Sequence, residues 1–421
     1  MFIYFLCYNC FLKLRCFMIS NPMTSLGRSE RNLSCRGSHS SAFQDILSGD
    51  KAFYKQTDYE SATKRDLAQN KPLSEVSYTW NTEHKTTRIA KLILSIIIFP
   101  IGMYKLLHVL AGKVALLPAS NPTIMRIFHG YPKDYANILR KEIEIDPSED
   151  GWKHKRITVE VDGYKIDAMI TGKASTLSNG RWMLFSQGNG EFYEEKLAGI
   201  NPGTLQNDVQ SILSEVKGNA IVFNYPGVGS SSGLPNRHAM EKAYRAMLNF
   251  LEDRENGIGA QEIIGYGHSI GGGVQGDALK THELKKDINY VFIKSRTFSS
   301  MSAAASFLTL KPLGFLVKML GWNMGSVESS KKLQAPEIIM QTVSKPLCEE
   351  LSDSSLIVND GVIHPDASLA KKLLLESQKS PMINKTFIGI REGHNDGLSF
   401  GVLFLAKKIN ALLQQQKSSD L

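Results

Sequence analysis

A chain of 421 residues, 42% hydrophobic and 21% charged, is long enough to bury a large core and is ordinary in composition for a globular protein. Its net charge of +8 favours acidic surfaces, but no Lys/Arg block dominates and no nucleic-acid motif occurs, so nucleic acid is not expected as a partner. Four of the five cysteines (Cys7, Cys10, Cys16 and Cys35) precede the body of the chain and only Cys348 lies within it, which is not a disulfide framework and suits a reducing compartment.

The first 23 residues are apolar and aromatic, but Lys13 and Arg15 come late in that stretch, whereas a secretory signal carries its positive charge before the apolar run. Initiation at Met18 or Met23 is the favoured reading. Cys7 and Cys10 form a C-x-x-C pair, which holds zinc only with two further ligands; no matching pair follows, and no metal is expected. Residues 24–80 are polar and weakly periodic, so residues 1–80 read as a disordered or weakly structured arm. Residues 81–150 hold an apolar helical segment. Its longest uncharged run, Leu92 to Tyr104, has 13 residues between Lys91 and Lys105. A full membrane span needs about 20, and Pro100 kinks or breaks a helix there. Two readings of 89–117 stay open: a shallow or re-entrant membrane segment with lysines snorkelling at its edges, or a helical hairpin packed on the domain that follows.

From Lys155 a regular rhythm sets in. Residues 157–170 alternate apolar and polar about Asp162-Gly163, a hairpin signal. Strands are predicted at 182–186, 220–225, 262–266, 290–294, 337–343 and 385–390. Leu205, Val209, Ile212, Leu213 and Val216 recur at helical spacing, as do Met240, Tyr244, Met247, Leu248 and Leu251. Further helices are expected after Ser269 and at 368–376 and 400–413. Strands alternating with helices imply a mostly parallel sheet covered on both faces, spanning 151–421, with sites at the carboxyl ends of its strands. The apolar stretch within 295–332 lies between strands and suits either a cap over the site or ordinary core helices.

Gly267-His268-Ser269-Ile270-Gly271 is a G-x-S-x-G sequence placed between a strand and a glycine-rich helix start. That context makes Ser269 the candidate nucleophile: a strained turn lifts its hydroxyl above the sheet, and the helix N-terminus faces the developing oxyanion. A serine needs a base. His394, after the last predicted strand, is the candidate among ten histidines. An acid should follow the strand at 337–343; Asp353, Asp360 and Asp366 lie there, and Asp360, which opens Asp-Gly-Val-Ile-His-Pro, is preferred with Asp366 next. The order Ser, Asp, His is the one this arrangement requires. Oxyanion N–H groups are expected from Ile270 and from Asn189, in the loop Gln187-Gly188-Asn189-Gly190 after the strand at 182–186.

Residues 155–413 resemble the α/β-hydrolase superfamily. Phe185-Ser186-Gln187-Gly188-Asn189-Gly190 is similar to its H-G-N-x oxyanion loop, with Gln187 in place of the usual His. Asn224-Tyr225-Pro226-Gly227-Val228-Gly229-Ser230 resembles its Y-R-G-x-G-x-S stretch, with Pro226 where Arg is frequent. Residues 360–365 resemble its D-x-V-V-x-P acid loop, which supports Asp360. More narrowly, Ile98-Phe99-Pro100-Ile101-Gly102-Met103 and Ser295-Arg296-Thr297-Phe298-Ser299-Ser300 resemble a hydrolase family of intracellular bacteria that includes SidB-type effectors of Legionella and chlamydial relatives. That resemblance implies delivery into a host cell and lipase-like activity; the polar tail Gln414–Leu421 suits either an export signal or, as such tails usually are, a frayed end. The expectation is a cofactor-independent serine hydrolase, cytoplasmic or at a membrane surface, acting on an ester, thioester or lipid. The rival expectation is an inactive hydrolase scaffold that binds a partner or a membrane.

Overall fold

A computed structural model describes residues 77–419, apart from 118, 122, 125–126, 128–134, 146–150, 174, 199–207, 309–310, 346–349 and 399–400. The five cysteines and the arm up to residue 76 fall outside the described residues. A nine-stranded sheet carries the fold. Its strands are β1 (Ser77–Trp80), β2 (Trp152–Val161), β3 (Tyr164–Lys173), β4 (Arg181–Ser186), β5 (Asn219–Phe223), β6 (Glu262–His268), β7 (Asn289–Ser295), β8 (Glu337–Thr342) and β9 (Lys385–Ile390). They lie in the order β1-β2-β3-β5-β4-β6-β7-β8-β9. Only β3 runs against its neighbours, pairing antiparallel with β2 and β5. With β1 set aside, this is the sheet of an α/β hydrolase: the exchange of β4 and β5 opens a crevice at the carboxyl end of β4, and β6 lies beside it.

The β2–β3 hairpin turns at Asp162 (φ 48°) and Gly163 (φ 85°), the two positive angles of the turn that suits strand twist. Residues 77–80, read from the sequence as the end of a polar arm, instead form β1, paired in parallel with β2. The Asp162 carboxylate fastens this edge. It accepts from Thr82 N (2.9 Å), Arg88 Nη1 (3.2 Å) and Lys242 Nζ (2.6 Å).

Side chains alternate between the two faces of the sheet as the strand period requires. Trp182, Leu184, Ile221 and Phe223 join one core, packed with Met240, Tyr244, Met247 and Leu251 of α6 (Arg237–Glu252). Met183, Phe185, Ala220 and Val222 join the other, packed with α5 (Asp208–Val216) and α12 (Gly401–Ser419). Both faces are thus covered, which is why the central strands read as nearly continuous apolar runs. Helix α6 starts where the Asn236 side chain accepts from Ala239 N at 2.9 Å.

Helices α1 (Lys85–Ile97) and α2 (Phe99–Ala115) meet at a 107° bend at Ile98, ahead of Pro100. Between α2 and β2 lies α3 (Tyr135–Ile145), and α4 (Tyr193–Ala198) follows β4. After β6 comes α7 (Ile270–Ala278). The segment between β7 and β8 forms a second helical hairpin, α8 (Met301–Leu308) and α9 (Lys311–Met319), followed by α10 (Val327–Lys332). Helix α11 (Leu369–Ser377) precedes β9.

Candidate active site

Strand β6 ends at His268 and α7 begins at Ile270, so Ser269 is the whole connection. Its backbone sits at φ 52°, ψ −120°, a strained conformation for a residue with a side chain. Glycines make the turn fit: a Cβ on Gly271 would lie 2.1 Å from the Ser186 carbonyl oxygen, and one on Gly267 would lie 2.8 Å from Gly272 N. The elbow is held from β7, as Ser269 N donates to Ser295 O (3.0 Å) and Thr297 Oγ1 donates to Ser269 O (2.6 Å).

The loop after β9 brings His394 Nε2 to 2.9 Å from Ser269 Oγ. The loop after β8 brings Asp360 Oδ2 to 2.9 Å from His394 Nδ1. All three residues are buried. Burial alone raises the Asp360 carboxyl, but His394 beside it and the N–H groups of Ile363 (2.7 Å) and Val362 (2.9 Å) outweigh that and hold it below the usual carboxylate value. An ionised Asp360 accepts from Nδ1–H, which leaves the Nε2 lone pair facing the Ser269 hydroxyl. Asp353 and Asp366 are elsewhere: the first caps a short turn at Ser355, and the second pairs with Lys371 (2.7 Å).

Asn189 sits at the exposed tip of the turn after β4. Behind it the backbone is pinned, with Gln187 O accepting from Tyr225 Oη (2.8 Å) and Gly188 N donating to Glu191 Oε2 (2.6 Å). Gln187, the departure from the usual His, donates Nε2 to Asn224 Oδ1 (3.2 Å). His268 lies with its ring 5.0 Å from that of His394. Burial, then the positive charges of Arg296 and Lys196, push His268 far below the usual histidine value, so it stays neutral beside His394.

Two buried groups in the site's surroundings were not singled out by sequence reasoning. Arg296, at φ 47° just past β7, donates Nη1 to the carbonyls of Gly393 and Asp396 (2.7 Å), which bracket His394. The contact grips the loop that carries His394 from both sides. Lysine offers a point charge in place of the planar fork, so Arg296→Lys is expected to lower kcat by about 10- to 100-fold with KM for a small ester unchanged. A parallel loss of both parameters, or of melting temperature alone, would assign Arg296 a structural role. Asp208 accepts from Leu398 N (2.8 Å), just beyond the histidine loop. Burial pushes its carboxyl up to about 6, against the charge of Arg296 and the bond from Leu398. A raised carboxyl favours folding while protonated, and that advantage is lost as pH rises through about 6. Asp208→Asn keeps the acceptor without the charge. It is expected to be more stable than the parent by about 2 to 3 kcal/mol at pH 7, with the gap closing towards pH 4, in urea denaturation at the two pH values.

With the fold and this geometry in hand, the family model described as Chlamydia CHLPS protein (DUF818) matches residues 79–411. The chain belongs to this family. The match takes in every site residue of the CHLPS-family chain described above, together with β1 for all but its first two residues. A search of curated proteins finds no relative. Among solved structures, an esterase of Pyrococcus furiosus is 12% identical over 64% of this chain and 93% of its own, with a TM-score of 0.44. An alpha-beta hydrolase from Vibrio vulnificus is 16% identical over 64% and 81%, with a TM-score of 0.41. Est1E from Butyrivibrio proteoclasticus, with ferulic acid bound, is 12% identical over 62% and 99%, with a TM-score of 0.43.

Proposed function

We propose that this chain is a serine hydrolase cleaving an ester or thioester of an acylated substrate. The observation that carries the reading is the unbroken line of contacts from Asp360 through His394 to Ser269. Ser269 Oγ attacks the acyl carbonyl as His394 Nε2 takes its proton. The negative charge on the carbonyl oxygen is met by the N–H of Ile270, at the first turn of α7, and by that of Asn189. His394 then protonates the leaving alkoxide or thiolate, an acyl-serine remains, and His394 activates a water to release it. Asp360 holds the imidazole in one tautomer and balances its cation. Each step uses groups of the chain itself. The resemblance to SidB-type effectors supports a host cell as the place of action.

The test is covalent capture. The full-length protein is treated with a fluorophosphonate probe and the labelled peptide is located by mass spectrometry. The adduct is expected on Ser269, and His394→Ala is expected to lose it. A folded protein that takes no label would favour the inactive scaffold instead. A panel of short-chain esters, long-chain esters and thioesters then ranks the acyl and leaving groups.

A further inference from the structure

We propose that α1–α2 and α8–α9 together form a docking surface for an anionic lipid bilayer, from which the acyl substrate is drawn. The docking stands on the surface itself; the substrate's source rests on the hydrolase reading above.

The most exposed apolar side chains of α1 and α2 cluster at the bend: Ile96 is 74% exposed, Ile97 72% and Phe99 69%. On α9 of the second hairpin Phe315 is 66% exposed and Met319 61%. Large apolar side chains exposed together in this way mark an interaction site. The two hairpins are joined: Trp322 Nε1 donates to His108 O (2.7 Å), and His108 Nδ1 lies 2.8 Å from Leu320 O, just past α9. Gly112 completes the seat, since a Cβ there would lie 2.0 Å from Pro235 O. The second hairpin also touches the acid loop. Phe307 of α8 stacks on His364 (4.3 Å between ring centroids), which lies in the loop opened by Asp360.

Charge selects the occupant. No Asp or Glu lies between Glu83 and Asp134, or between Asp287 and Glu328, whereas Lys85, Lys105, Lys113, Lys311 and Lys318 do. Exposed apolar side chains on segments that carry lysines and no acidic residue suit a bilayer with anionic headgroups. A second copy of the same face would bring like charges together. The segment lies on the bilayer rather than crossing it. Among the described residues no single helix is long and apolar enough to span, and α2 is fixed to the body through His108 and Gly112.

Binding is read by co-sedimentation of the full-length protein with phosphatidylcholine vesicles, with and without about 30% phosphatidylglycerol. The anionic vesicles are expected to bind at least about 10-fold more tightly, with the difference shrinking at high salt. Ile97→Asp with Phe99→Asp is expected to weaken binding at least about 10-fold, as is Phe315→Asp. The double variant is expected to keep the melting temperature and its turnover of a soluble short-chain ester, and to lose hydrolysis of vesicle lipid. Ser269→Ala is expected to bind vesicles as the parent does. Failure of the folded parent to bind anionic vesicles, undiminished binding by both variants, or a dimer dissolved by the same substitutions would each overturn the docking. Docking without any Ser269-dependent lipid hydrolysis would leave the surface standing and remove the substrate assignment.

Discussion

Ser269→Ala is expected to lose ester turnover by about 10⁴-fold or more while keeping its fold. The hydroxyl makes no cap bond to α7, and its contact is with His394, so little stability goes with it. Asp360→Asn should come close, at about 10⁴-fold. Its Oδ1 accepts from Val362 N and Ile363 N, which fixes the carbonyl side of an asparagine there and turns the amide N–H₂ towards His394. The imidazole then accepts at Nδ1 and presents Nε2–H to the serine, the wrong tautomer for a base. Steady-state turnover of a chromogenic ester, read beside melting temperature, checks both variants. Parent-like turnover by Ser269→Ala would end the serine mechanism.

The largest loss of stability is expected at Asp167. Its carboxylate accepts from Arg156 Nε (2.7 Å) and Nη2 (3.1 Å) and from Tyr193 Oη (3.1 Å), and Arg140 Nη2 lies 3.3 Å away. All four residues are almost wholly buried. Asp167→Ala leaves two guanidinium groups in the interior without their shared anion, at a cost of about 3 to 5 kcal/mol in urea denaturation. Pairing Asp167→Leu with Arg156→Met is expected to recover part of it, because an apolar pair carries no desolvation penalty. A loss below about 1 kcal/mol would place the anion's role elsewhere. The network also reaches the loop after β4. Glu194, bonded to Arg140, accepts from Asn224 Nδ2 (2.9 Å), and Asn224 receives Gln187. The Asp167→Ala variant should therefore label more slowly as well.

The sheet was legible because its strands obey local rules: short, nearly continuous apolar runs in the centre, glycine and asparagine punctuation, and one turn with two positive φ angles. The elbow was legible because its geometry demands small residues on both sides of one serine. Asp360 stood out from Asp353 and Asp366 by its motif, whereas spacing alone left all three open. Arg296 was not legible in its role, since arginine is ordinarily a surface residue and nothing local marks one that is buried to grip a distant loop. The same holds for Asp208, whose partner lies 190 positions away in the chain. Strand β1 was missed for another reason. Four residues give too short a pattern to stand out from a polar arm, although Tyr78, Thr79 and Trp80 are strong strand formers.

The Asp162 knot has a consequence for acid conditions. Burial alone would lift this carboxyl, but the bonds from Lys242 and Thr82 outweigh it and bring the group down to about 2. A group lowered in this way keeps its full contribution above its ordinary value of 3.8 and gives it up as pH falls from there through about 2. The strap from β1 into the first helix therefore stays tied at about pH 5, and mild acid does not free the α1–α2 bend at its far end.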